Sequence, residues 1–230
     1  MTALETFYDY FFTYGGYKDY FTGLKNTAII AVFGLLIGFL IGCLISTIKI
    51  VPEKNIPLII AEKLCDVYIA IFRGTPMTVQ LLLLHFAVFP AIGLNISSVA
   101  EAVIIFGLNS GAYMAEIIRS GINSIDGGQM EAGRSLGLGF VPTMLFIVLP
   151  QAIKNILPTL GNEFIALIKE TSVVSFIAVV DVTKALKAIG DSTLEYFVPY
   201  IVLAFTYLII VLFITWLIKI MEKRLQKNER

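Results

Sequence analysis

The sequence predicts an all-α membrane protein with five transmembrane helices. Three observations carry that expectation. Hydrophobic residues fill 57% of the 230 positions, charged residues only 15%, and the apolar residues gather into runs of spanning length. A water-soluble domain carries roughly 25% charged residues, so a single soluble domain does not fit. The formal net charge of zero gives no hint of a nucleic-acid partner. No basic segment followed by a short apolar run opens the chain, so insertion is expected to rely on the first span rather than a cleavable signal.

A spanning helix needs about 20 mostly apolar residues. The first is expected over 23–49, free of charge from Thr27 to Ile48 and closed by Lys49, Pro52, Glu53 and Lys54. Within it Gly34, Gly38 and Gly42 recur every fourth residue, a stripe that lets a second helix approach closely. The stretch from Ile56 to Phe72 carries Glu62, Lys63 and Asp66 and reads as an interfacial or tilted helix. It leads through Arg73-Gly-Thr-Pro76 into a second span over 75–92. The third span, 98–119, has Glu101 near its start and the i,i+3 pair Glu116–Arg119 at its end. Residues 127–139 are polar and glycine-rich, a loop or short surface helix. Pro142, Pro150 and Pro158 are expected to divide the next apolar stretch into a short approach helix and a fourth span over 153–180, because proline ends or kinks a helix. The fifth span, 197–220, runs into a basic tail from Met221 to Arg230.

Lys and Arg concentrate in cytoplasmic loops. The tail carries Lys219, Lys223, Arg224, Lys227 and Arg230, and the same side collects Lys49, Lys54, Lys63, Arg73, Arg119, Arg134 and Lys154. Only Lys18, Lys25, Lys184 and Lys187 fall on the other side. The C-terminus is therefore expected in the cytoplasm and the N-terminus outside. Residues 1–22, rich in Tyr and Phe, suit the outer membrane–water boundary. Cys43 and Cys65, the two cysteines, lack metal-ligand spacing and read as packing residues.

The loop after the third span reads Gly128-Gln-Met-Glu131-Ala-Gly-Arg-Ser-Leu-Gly137, and nine residues separate Gly137 from Ile147-Val-Leu-Pro150. Gln129 and Glu131 lie near the positive end of a short helix. Ala132 and Gly133 offer little bulk, and Ser135 suits the helix. Gly137 and Gly139 can turn the chain back toward the membrane. This spacing resembles the signature loop of binding-protein-dependent ABC importers: Glu-Ala-Ala/Gly, three residues, Gly, nine residues, Ile-x-Leu-Pro. Phe72-Arg-Gly-Thr-Pro-Met-Thr-Val-Gln80, Gly111-Ala-Tyr-Met-Ala-Glu-Ile-Ile-Arg-Ser-Gly121 and Asn162-Glu-Phe-Ile-Ala-Leu-Ile-Lys-Glu-Thr-Ser172 narrow the resemblance to the polar amino-acid permeases of the histidine/glutamine type.

The resemblance implies a type I importer permease in the bacterial inner membrane whose loop 127–139 is a coupling helix. Gln129, Glu131, Ala132, Gly133, Ser135 and Gly137 would meet a separate ATPase subunit. It implies a second permease copy, identical or related, an extracellular or periplasmic binding protein and an amino-acid substrate. The chain has no Gly-x-x-x-x-Gly-Lys-Ser/Thr phosphate loop and no reactive cluster, so it is not expected to be an enzyme. ATP and Mg would be bound by the partner, and no cofactor or metal is expected in this chain.

Ionisable residues at membrane depth are expensive and usually face a partner or a cavity. Glu163 is the leading substrate-binding candidate, its other reading a buried salt bridge. Glu170 shares its face, two turns on, with Ala166 between them. Asn162, Asn109, Ser110, Gln80 and Ser175 are further candidates, with helix-bridging as the alternative for Asn109 and Ser110. The acids tilt the substrate toward basic amino acids. Glu101 reads as a solvated boundary residue, and His85 as a hydrogen-bonding residue without metal partners. The runner-up function is an ion-coupled secondary carrier, disfavoured because such carriers often show internal repeats and none is visible here.

Overall fold

A computed structural model describes residues 2–52 and 54–227, with side chains as far as Arg224. The side chains of Lys227 and Arg230 in the basic tail, and Glu53 after the first span, lie outside the described residues. Every regular element among the described residues is helical. In chain order they are α1 (Ala3–Tyr8), α2 (Gly16–Ile50), α3 (Ile56–Gly74), α4 (Met77–Leu83), α5 (Phe89–Ala91), α6 (Ser98–Asn123), α7 (Gly127–Ser135), α8 (Phe140–Thr143), α9 (Leu149–Glu170), α10 (Val182–Thr193) and α11 (Phe197–Lys227). Four stretches are long and apolar enough to cross a membrane: Gly16–Ile50, Ser98–Asn123, Phe140–Ile177 and Phe197–Arg224. The bent pair Ile56–Gly74 and Met77–Ala91 supplies a fifth when taken as one span.

Local chemistry explains the boundaries. Asn55 caps α3, accepting from the Leu58 amide at 3.1 Å with Pro57 in the first turn, and Ser97 caps α6 through the Ala100 amide at 3.3 Å. An uncapped helix start leaves backbone N–H groups unpaired. Gly15, at φ +84°, turns the chain between the aromatic leader and α2. The first span helix therefore begins at Gly16, inside the stretch expected to be leader. Prolines do not divide the fourth span. Pro150 follows a widened, π-type turn over Met144–Val148, and Pro90 stands in the same relation to Leu84–Val88. A proline ring collides with the carbonyl four residues back, and one widened turn before each ring relieves that clash. The chain stays helical from Phe140 to Ile177, with Pro158 inside α9.

Among the described residues, the α2–α6 pair is the most extensive helix contact. A Cβ on Gly38 would stand 2.7 Å from Ser110, and one on Gly42 2.4 Å from the Met114 Cβ. From the other helix, Gly107 and Gly111 receive Ile37 and Ile41. The two helices thus offer glycines to one another, and at these positions there is no space for a side chain. Ile30, Ala31, Ala102, Ile105 and Phe106 are fully buried around this seam.

At one end α10 packs on α2 and α11. Buried Asp181 caps α10 by accepting from the Thr183 and Lys184 amides, both at 2.9 Å. Asn26 donates to the Val180 carbonyl at 2.8 Å and fastens the preceding turn to α2. On the solvent face, Lys187 and Tyr196 donate to Asp191, which holds its carboxyl below the usual carboxylate range. Lys184 and Lys187 lie on this end with the start of α2, as the charge reading expected. Glu101 corrects the expectation of a solvated residue: it is buried and hydrogen-bonded to His85.

Candidate functional site

The second span is built from two helices that meet at the Arg73–Pro76 turn. The Ile56–Phe72 stretch is part of a regular 19-residue helix, α3, about 28 Å long. Lys49 at the end of α2 pairs with Asp66 of α3, and Lys54 in the connection pairs with Glu62 at 2.6 Å. Further along, Tyr68 donates to the Leu108 carbonyl midway along α6. At Thr75–Pro76 the chain turns by 108° into α4. Pro76 cannot continue the α3 hydrogen-bond ladder. Arg73, grouped by sequence with the loop charges, therefore sits at a break beside the middle of α6, its guanidinium 5.5 Å from the centre of the Tyr113 ring.

The break is closed by polar side chains. The Gln80 amide nitrogen lies 2.8 Å from the Phe72 carbonyl, 2.9 Å from the Thr75 carbonyl and 2.8 Å from the Thr75 hydroxyl. Its oxygen accepts from Asn109 at 2.8 Å. Gln80 and Asn109 are both buried, and their polar groups are spent inside the protein. Ser110 is fully buried against Gly38 in the α2–α6 seam, its hydroxyl without a partner. These three candidates do not meet Glu163.

A cavity of about 560 Å³ opens between α6 and α9, lined by Arg73, Tyr113, Glu116, Arg119, Asn155 and Thr159 among others. Glu116 receives Arg119 at 2.8 Å and lies 3.7 Å from Arg73. The Glu116–Arg119 pair expected from spacing is present, and Arg73 converts it into a three-charge cluster. Glu163 is half-buried one turn beyond Thr159 on α9. Glu170 follows two turns further along the same helix. Ala166 is partly buried between them, whereas Glu170 and Asn162 are exposed. Gly161 lies against α11, where Ile218 fills the space beside it. Ser175 donates to the Ser172 carbonyl at 3.1 Å within the final 3-10 turns of the fourth span. A smaller cavity of about 310 Å³, lined mostly by apolar groups including Cys43, Ile118 and Met144, offers little to a charged ligand.

The signature loop forms α7. Asp126, which the sequence reading passed over, caps it by accepting from the Gly128 amide at 2.8 Å. Gly137 takes φ +84°, its amide bonding Arg134 at 3.0 Å while Leu138 bonds back to Gly133 at 3.2 Å. These paired bonds and the left-handed glycine make a Schellman C-cap. Gly139 has an ordinary negative φ and opens α8 instead. Gly133 is buried, and a Cβ there would lie 2.5 Å from Thr143. Its small size admits the chain's own α8 rather than a partner. Gln129, Glu131, Ala132 and Ser135 are exposed, and Leu136 presents 82% of its surface.

The helical domain joins a broken span, a charged cleft and a capped surface helix between its third and fourth spans. The chain belongs to the family described as binding-protein-dependent transport system inner membrane component, whose model matches residues 57–227. It is 41% identical over 202 residues to a putative glutamine transport system permease protein of Rickettsia bellii, covering 88% of each chain. It is 38% identical over 207 residues to the arginine transport system permease protein of Bacillus subtilis, covering 90% of this chain and 92% of that one. A crystal structure of an amino acid ABC transporter with histidines matches with a TM-score of 0.81 at 40% identity, covering 90% and 94% of the two chains. The inward-facing MetNI methionine transporter shares the fold at TM-score 0.63 and 18% identity, over 92% and 94%. The chain is a membrane-embedded transport component rather than an enzyme, and the ATPase of such a system is a separate subunit. The ion-coupled carrier gains no support from these relatives.

Proposed function

We propose that this chain forms the translocation path of an ATP-driven importer for polar, preferentially basic, amino acids. The observation that carries this reading is the distribution of charge along the α6–α9 cleft. Arg73 stands at one side of it and Thr159 of α9 lines it, with half-buried Glu163 one turn beyond Thr159 on the same helix. An amino acid is a zwitterion, and an opposed guanidinium and carboxylate complement its two ends. Arg73 takes the α-carboxylate and Glu163 the α-amino group, while Glu170, and Asn162 beside it, face the far end of a basic side chain. Ser175 lies beyond them toward the end of the fourth span. The relatives named for glutamine and arginine support a polar amino acid.

The exposed face of α7, with Gln129, Glu131, Ala132, Ser135 and Leu136, docks on an ATPase subunit that binds ATP and Mg. Gly133 and Gly137 shape that helix from behind. Five spans form half a path, so two copies assemble, and a related permease in place of the second copy is the alternative. A binding protein delivers substrate at the end that carries α10, which is outside, and the C-terminus is cytoplasmic. Liposomes holding the complex and its binding protein test the substrate class. ATP hydrolysis should rise with arginine, lysine or histidine, and a rise with none of the amino acids would overturn the reading.

A further inference from the structure

We propose that Gln80 and Asn109 are positioning residues whose joint clasp on the broken second span aims Arg73 at the substrate carboxylate. The proposal rests on the zwitterion site described above. Non-helical backbone at membrane depth persists only where its polar groups are satisfied by protein or face water. The 108° turn frees the last carbonyls of α3, and side chains take them up. The Thr75 hydroxyl donates to the Ile71 carbonyl at 2.8 Å, and Gln80 reaches the Phe72 and Thr75 carbonyls. These acceptors bracket Arg73 on both sides in the chain. Asn109 then bonds the Gln80 oxygen at 2.8 Å, which fixes the whole turn to α6.

The same helix carries Tyr113 and Glu116, one and two turns further on, and these are the groups that Arg73 touches. The clasp and the Arg73 contacts are therefore referenced to one rigid element. Only a primary amide serves at position 80. It must donate to carbonyls at one end and accept from Asn109 at the other, and a carboxylate of the same shape cannot donate.

Calorimetric titration of the assembled permease–ATPase complex with arginine and with argininamide, which lacks the carboxylate, separates the possibilities. Arg73→Gln should weaken arginine by about tenfold or more and leave argininamide nearly unchanged, as a lost charge-assisted bond would. Gln80→Glu should show the same selective pattern at about three- to tenfold, the scale of a lost uncharged bond. Added to Arg73→Gln, it should weaken arginine no further. Equal loss for both ligands, or an additive double variant, would overturn the clasp while leaving the Arg73 site standing. If Arg73→Gln itself does not discriminate, the carboxylate site fails and the positioning role falls with it. Should Gln80→Glu fail to assemble, Asn109→Ser carries the same comparison. If neither assembles, the clasp is a folding element and the proposal is wrong.

Discussion

The two faces of α6 are built on opposite rules. Toward α2 the helix presents Gly107 and Gly111 to Ile37 and Ile41 and takes Gly38 and Gly42 in return, leaving no room for a side chain. Toward α9 it presents Tyr113, Glu116 and Arg119 to a cavity of about 560 Å³. The first face is closed by shape alone, since lipid supplies little hydrophobic drive between helices and packing must hold them. The second is open and charged. A seam packed this closely suits a wall that stays fixed while a neighbouring surface changes. The difference predicts that substitutions on the two faces fail in different ways.

The largest expected effect is at the seam. Gly42→Leu would drive a Cβ to 2.4 Å from the Met114 Cβ and 2.9 Å from the Ala115 backbone nitrogen. Backbone cannot move aside as a flexible side chain can. Overpacking costs roughly 1–3 kcal/mol, and this site should reach the upper end, about 3 kcal/mol. The detergent-solubilised protein should melt at a lower temperature or fail to accumulate. An unchanged melting temperature would mean that the two helices are not held by close approach.

In the cleft the expected loss is of ligand rather than of fold. Glu163→Gln keeps the shape and removes the charge. A charge-assisted hydrogen bond contributes roughly 1.5–3 kcal/mol, so transport affinity for arginine should fall by about tenfold or more. The melting temperature should stay near that of the parent protein. A lowered melting temperature with intact arginine affinity would reassign Glu163 to a structural ion pair.

The contrast also explains what the sequence made legible. Glycine at every fourth position announces close packing whatever the partner, so the α2 stripe could be read before α6 was known to receive it. The spacing from Glu131 to Pro150 likewise carried the surface helix and its turn. Arg73 was grouped with the loop charges because hydropathy counts charge along the chain, whereas its place beside Tyr113 and Glu116 of α6 is a tertiary fact. The Phe72–Gln80 stretch held a usable signal, since a Gly-Thr-Pro break followed by a buried amide needs carbonyls satisfied nearby. Gln80, Asn109 and Ser110 were grouped as substrate candidates because they are polar at membrane depth. Which face of the helix each occupies depends on the partner helix, and that separates clasp from seam.

A smaller effect, confined to coupling, is expected at the surface helix. Gly137 sits at φ +84° with nothing within 4 Å of where a Cβ would stand. Gly137→Val is therefore penalised by backbone conformation and not by collision, at about 1–2 kcal/mol. The Schellman cap should loosen and α7 should lose its fixed exit toward α8. Uptake per ATP hydrolysed in reconstituted liposomes should fall, while the melting temperature changes little. Normal uptake would count against α7 as the element that transmits the ATPase stroke.

The smallest effect tests the boundary between the two faces, one residue from the clasp. Ser110 is fully buried, its hydroxyl lacks a partner, and its Cβ and Oγ lie against Gly38. An unsatisfied buried hydroxyl is a liability that its removal relieves. Ser110→Ala keeps the Cβ that packs on Gly38 and deletes only the oxygen, so it opens no more space than that atom filled. The melting temperature should be unchanged or slightly raised, and arginine affinity should be that of the parent protein. If Ser110 instead contacts substrate in another state of the transport cycle, the alanine variant will weaken arginine transport without altering stability. That result would mean the α2–α6 seam opens during transport, and the division of α6 into a fixed face and a working face would have to be abandoned.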